Sequence, residues 1–131
     1  EELSRLGYRA VTYMPPRNTE EQLRRVQQLC AKWGFMVISG VDINSSRQSF
    51  NCPEVLLPPF RHLVDTTWAL IVHERLSSVD RSFGLFAPDN PLAAEPLADR
   101  LAFYARAGRS LDLRHPEESC YTIMQNMQQG K

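Results

Sequence analysis

No sign of charge prevails in this chain: fifteen lysines and arginines stand against fifteen aspartates and glutamates. The long-range field that draws a protein onto nucleic acid or an anionic membrane surface is missing, and neither partner is expected. Long apolar runs are missing too. Phe35 to Ser39 and Trp68 to Val72, the longest, fall far short of the roughly 20 residues that span a bilayer. Cysteine is sparse: Cys30, Cys52 and Cys120 are widely separated and form no Cys-x-x-Cys pair, which argues against a disulfide framework and a zinc ribbon. No basic stretch leads into an apolar segment and a small-residue cleavage site at the start, and the cytoplasm is the expected compartment.

Complete catalytic signatures are absent as well. The chain contains no glycine-rich phosphate loop, His-x-His, His-Glu-x-x-His or Gly-x-Ser-x-Gly. His62 and His73 stand eleven residues apart, about three helical turns, and cannot share one ion. A parent enzyme would therefore draw most of its catalytic groups from elsewhere.

What is present is an ordinary globular composition, with 43% hydrophobic residues over 131 positions, and no internal repeat or flexible linker, so residues 1–131 read as one domain. Glu1 to Leu6 reads as the end of a helix closed by Gly7. Tyr8 to Met14 mixes β-branched, aromatic and apolar residues up to Pro15-Pro16 and predicts a strand. Thr19 and Gln22 have capping-box spacing, and Leu23, Val26, Cys30 and Trp33 recur every three or four residues, which predicts a helix over 19–33 ended by Gly34. Phe35 to Ile43 is nearly continuous in apolar character and predicts a second strand, covered on both faces as in parallel sheets. Helices are expected over 60–76, 92–107 and 116–127.

Strand, helix, strand forms a βαβ unit, which brings the residues after both strands to one sheet edge. Arg17, Asn18, Asp42 and Asn44 are thus predicted neighbours. The run Asp42 to Gln48 gathers a carboxylate, amides, hydroxyls and a guanidinium, and ligands of parallel α/β proteins bind beyond the carboxyl ends of strands. Arg17 and Arg47 offer planar forks suited to phosphate or carboxylate, with Asn18, Ser45, Ser46 and Gln48 beside them as substrate contacts. Asp42 offers a hard anionic oxygen to a divalent metal. Two strands rarely bury enough surface alone, so further strands are expected upstream, or another chain or copy covering the sheet edges.

The run Tyr8 to Asn44 resembles the last βα unit and final strand of the PHP-type metal-dependent phosphoesterases (the polymerase and histidinol phosphatase-like barrels). There the final strand ends in Gly-x-Asp-x-His; here it reads Gly40-Val41-Asp42-Ile43-Asn44. The resemblance covers about a third of the chain, and Asn44 stands where the family has histidine. It implies an α/β architecture, a βαβ unit from the end of a (β/α) barrel followed by several carboxy-terminal helices. It further implies that the chain is the carboxy-terminal part of a hydrolase acting on small phosphorylated or anionic substrates. Asp42 and Asn44 would occupy metal-ligand positions for a divalent ion (Zn, Mn or Mg) held by the parent rather than by this segment alone. Amidohydrolase barrels share the aspartate after the last strand and stay open as a relative. The contrasting reading is a non-catalytic interaction or assembly domain whose helices pack on a partner.

Overall fold

The computed structural model describes residues 1–130. The chain divides into two compact units, Glu1–Thr66 and Thr67–Lys131. Among the described residues it is a mixed α/β protein with five α-helices and a two-stranded parallel sheet.

In the first unit, helix α1 (Glu2–Arg5) ends as its glycine requires. Gly7 takes φ +87°, a left-handed value that costs a residue without Cβ little. The amides of Gly7 and Tyr8 then donate back to the carbonyls of Ser4 (3.2 Å) and Leu3 (3.1 Å), the paired bonds of a Schellman close. Strand β1 (Ala10–Tyr13) follows, then helix α2 (Glu20–Trp33) and strand β2 (Met36–Ser39). Thr19 starts α2 through a reciprocal cap: the Gln22 amide donates to Thr19 Oγ1 (3.3 Å), and the Thr19 amide donates to Gln22 Oε1 (2.9 Å). Gly34, at φ +68°, closes it.

The strands pair in parallel, from Ala10 opposite Met36 to Tyr13 opposite Ser39. Both are shorter than the predicted apolar runs, because ladder bonds stop where the two chains diverge. The Gly40 amide donates the last one to the Tyr13 carbonyl (3.2 Å) before the prolines turn the first chain away. Tyr8 and Ile43, at the ends of those runs, are exposed.

The core of this unit gathers Tyr13, Leu23, Cys30, Phe35, Val37, Phe60 and Leu63. Tyr13 ties strand to helix: its ring stacks on Phe60 at 5.8 Å, and its hydroxyl lies 3.0 and 2.9 Å from the carbonyls of Asn18 and Thr19 at the start of α2. Trp33, predicted on the inner face of α2, is 38% exposed, and the Lys32 ammonium lies 5.3 Å from its ring centre.

Helix α3 (His62–Val79) begins in the first unit and continues in the second, which also holds α4 (Leu97–Arg109) and α5 (Pro116–Gln128). The start of α4 differs from expectation. Pro96 pushes Glu95 out of helical geometry, so residues 92–95 form turns instead. In α3 the buried residues of this unit are Ala69, Val72 and Leu76, with Trp68 and Ile71 half-buried, so apolar side chains surround much of the helix. The spacing of Cys120, Ile123, Met124 and Met127 predicts one apolar face for α5, and of these Cys120, Ile123 and Met127 are buried while Met124 is half-buried.

A buried polar network holds the non-helical segment between α3 and α4. The Tyr104 hydroxyl donates to the Phe83 carbonyl (2.6 Å) and accepts from Asn90 Nδ2 (2.7 Å), which also donates to the Gly84 carbonyl (2.8 Å). The Leu85 amide donates to His73 Nδ1 (2.9 Å), and Arg100 Nη1 donates to the Leu85 carbonyl (2.9 Å). Accepting the Leu85 amide requires an unprotonated Nδ1, and burial, which pushes the His73 ring below its ordinary pKa, favours that state. Beside this network Gly108 permits a close helix crossing, since a Cβ built there would sit 2.8 Å from the Trp68 carbonyl oxygen.

Burial, opposed by the Asn90 hydrogen bond and the charge of Arg100, pushes the Tyr104 phenol up to about 12 from its ordinary 10. A folded-state pKa raised above the unfolded value contributes stability that is complete below pH 10 and lost as pH rises from 10 through 12. Tyr104→Phe, which leaves the Phe83 carbonyl and an Asn90 N–H unmet, should lose about 1–3 kcal/mol in urea unfolding at pH 8, and the gap to the parent chain should shrink above pH 10. Gly108→Ala gains about 1 kcal/mol of helix propensity but overpacks the crossing at a cost of about 1–3 kcal/mol. A net fall in the urea midpoint is the expected result.

Candidate functional site

Parallel pairing brings the residues following β1 and β2 to the same sheet edge. After β1, the amides of Arg17 and Asn18 both donate to the Met14 carbonyl (2.9 Å each), and Asn18 Oδ1 accepts from the Met14 amide (3.0 Å). Asn18 therefore closes the turn on which Arg17 stands. After β2, Asp42 meets Arg17: Arg17 Nη1 lies 3.5 Å from Asp42 Oδ2, with the two side chains 49% and 55% exposed. A pair this exposed contributes at most about 1 kcal/mol, so it does not hold the fold together and is open to exchange.

The loop beyond Asp42 is organised by one side chain. Gln48 Oε1 accepts from the amides of Asn44 (2.8 Å) and Ser45 (3.0 Å), and Gln48 Nε2 donates to the Asp42 carbonyl (3.2 Å). Its amide is thus engaged by the loop backbone. Ser45, Ser46 and Arg47 are exposed on this loop, and no ion pair holds Arg47 among the described residues. The structure thus joins Arg17 to Asp42 and Gln48 to Asp42, Asn44 and Ser45.

Asp42 fits the requirement of one hard, solvent-accessible anionic ligand, and Asn44 adds a weaker neutral oxygen two residues on. No group of three or more histidine, cysteine, aspartate or glutamate side chains among the described residues is placed to hold a metal ion. Further ligands would have to come from strands outside this sheet. The cysteines offer no reactive thiolate. Burial pushes the thiols of Cys30 and Cys120 up, and burial followed by the Glu54 carboxylate does so for Cys52.

Sequence reasoning missed two polar contacts. Gln27 Nε2 lies 2.8 Å from His62 Nε2, and His73 receives the Leu85 amide. Each joins residues at least a dozen positions apart, and no local pattern announces such a contact. It also missed an apolar groove of about 260 Å3, lined by Leu3, Val11, Val26, Leu29, Trp33 and Phe35 among others, which shares no residue with the sheet edge. Among the described residues no helix is long and apolar enough to cross a membrane.

Comparison with known protein families, with curated proteins and with solved structures yields no match to this chain.

Gln48→Ala removes all three side-chain bonds that close the loop. Amide hydrogen exchange at Asn44 and Ser45 should quicken by about fivefold, in line with the loss of roughly 1 kcal/mol of local hydrogen bonding, while global unfolding stays within about 0.5 kcal/mol of the parent. Unchanged exchange at both amides would refute the loop-closing role.

Proposed function

We propose that this chain is the carboxy-terminal β/α portion of a metal-dependent phosphoesterase barrel of the PHP type, incomplete as a catalyst by itself. The observation that supports it is the meeting of Arg17 and Asp42 at the carboxyl edge of a parallel β-α-β unit, beside a polar loop. That edge is where parallel α/β proteins bind their ligands. An aspartate beside an arginine there provides one group for a cation and one for an oxyanion.

In this reading Asp42 supplies one oxygen ligand to a divalent cation (Zn, Mn or Mg), and Asn44 stands beside it as a neutral donor. Such a cation, when bound, polarises the phosphoryl group and lowers the pKa of an attacking water. Arg17 and Arg47 carry guanidinium forks matched to phosphoryl oxygens, and Ser45 and Ser46 supply hydroxyls. Asn18 and Gln48 act through the backbone: the first fixes the turn bearing Arg17, and the second shapes the loop bearing the serines and Arg47. The remaining ligands come from other strands of the barrel, which also cover the sheet edges.

A second reading, an interaction or assembly domain, is favoured by the apolar groove, where Leu3, Leu29 and Trp33 are 49%, 48% and 38% exposed. One experiment separates the two. The full polypeptide encoded with this segment is assayed for Mn2+-dependent hydrolysis of p-nitrophenyl phosphate, alongside the 131-residue chain. Turnover by the full polypeptide only, lowered about a hundredfold in kcat/KM by Asp42→Ala, equivalent to roughly 2.7 kcal/mol of transition-state stabilisation, is the expected result. Activity indifferent to Asp42→Ala, or no activity in the full polypeptide, assigns the segment to the second reading.

A further inference from the structure

Along α2, Val26, Leu29 and Trp33 recur at helical spacing and form an apolar ridge, of which Leu29 and Trp33 remain exposed. With Leu3 of α1, Val11 of β1 and Phe35 they line the groove of about 260 Å3. An apolar cavity of about 150 Å3 holds a benzene ring, and drug-sized ligands fill about 300–1,000 Å3. The groove is thus matched to one or two bulky side chains of another polypeptide rather than to a cofactor.

Charge beside the groove has one sign. Glu1, the charged residue of its lining, is met by Arg5 at 3.4 Å. Arg25 and Lys32 stand four residues before and three residues after Leu29, the spacings that make neighbours on a helix surface. Both are exposed, and neither makes an ion pair among the described residues. The Lys32 ammonium lies 5.3 Å from the centre of the Trp33 ring, which places it at the rim.

We infer that this groove docks an acidic amphipathic helix of another protein, which inserts one or two bulky apolar side chains and sets its carboxylates against Arg25 and Lys32. A helix fits because Val26, Leu29 and Trp33 already form a ridge with which the side chains of a second helix can interleave. The same cations disfavour other occupants. Two copies docked through this face would gather two sets of them in one interface, and a chain of zero net charge has no long-range attraction to an anionic membrane. The inference rests on the interaction reading and gives it a partner. It is independent of the phosphoesterase reading, because the groove shares no residue with the edge where Arg17 and Asp42 meet.

The probe is a fluorescein-labelled synthetic helix of about 14 residues with Leu at the i, i+3, i+4 and i+7 positions and Glu and Ala elsewhere, compared with the same peptide bearing Lys for each Glu. Fluorescence anisotropy with the full polypeptide should show saturable binding of the acidic peptide alone, weakened about tenfold or more by Leu29→Asp or Trp33→Ala, as for apolar anchors that dominate an interface. Arg25→Glu combined with Lys32→Glu should weaken it about threefold to tenfold and turn the preference toward the Lys peptide. Leu29, Arg25 and Lys32 are exposed, so these variants keep the fold, and an unchanged urea midpoint verifies it.

Equal binding of the two peptides, or binding of the acidic one that survives Leu29→Asp, overturns the inference and leaves an interaction domain that uses another surface. A dimer in sedimentation, or binding to phosphatidylserine vesicles, that Leu29→Asp abolishes overturns it in favour of a second copy or a membrane. If neither peptide binds a polypeptide that hydrolyses p-nitrophenyl phosphate through Asp42, the interaction reading falls as well.

Discussion

Ala10 to Tyr13 lie in parallel register with Met36 to Ser39, and on this short ladder the candidate site depends. Parallel strands need a crossover between them, here α2, and the crossover returns the chain so that both strands end on one side. Arg17 and Asp42, 25 positions apart, meet for that reason. A slip of one residue would exchange the faces on which Met36 and Val37, both buried, are packed. The ladder is kept in register by apolar burial and by Tyr13, whose ring and hydroxyl engage Phe60 and the first carbonyls of the α2 region at once.

The second unit follows a different logic. Its long segment between α3 and α4 contains little regular structure, so its carbonyls and amides need partners from side chains. Tyr104, Asn90, His73 and Arg100 supply them from four places in the sequence. Inside a poorly solvated interior such bonds are costly to break and define a single arrangement. The neutral state of His73 belongs to the same scheme, since a protonated Nδ1 could not accept the Leu85 amide.

Function and stability are separated in this chain. The groups that hold it together are buried or half-buried and hydrogen-bonded to backbone, and all of them except Arg100 are neutral. The groups proposed to act, Arg17, Asp42 and Arg47, are exposed and weakly tethered. Exposed charges at a strand end contribute little to folding, which leaves them available for ligands. Asn18 and Gln48 lie between these classes, since each uses a side-chain amide to give a loop its shape.

Much of the local structure was legible in the residues themselves. Thr19 and Gln22 announce a capping box, Gly7 and Gly34 announce helix ends, and the apolar spacing of α5 names its buried face, because each signal is contained within a few neighbouring positions. The convergence of Arg17 with Asp42 was also legible, since strand, helix, strand has essentially one topology. Tertiary structure alone decided which potential contacts were realised. It exposed Trp33 despite its periodic position, shortened both strands to the residues that pair, engaged Gln48 with its own loop, and joined Tyr104 to Asn90 and Phe83. The physical reason is that propensity and capping act over a few residues along the chain, whereas burial and hydrogen-bond satisfaction depend on what lies across space. A sequence lists the donors, acceptors and apolar faces, but only the folded arrangement determines which of them meet.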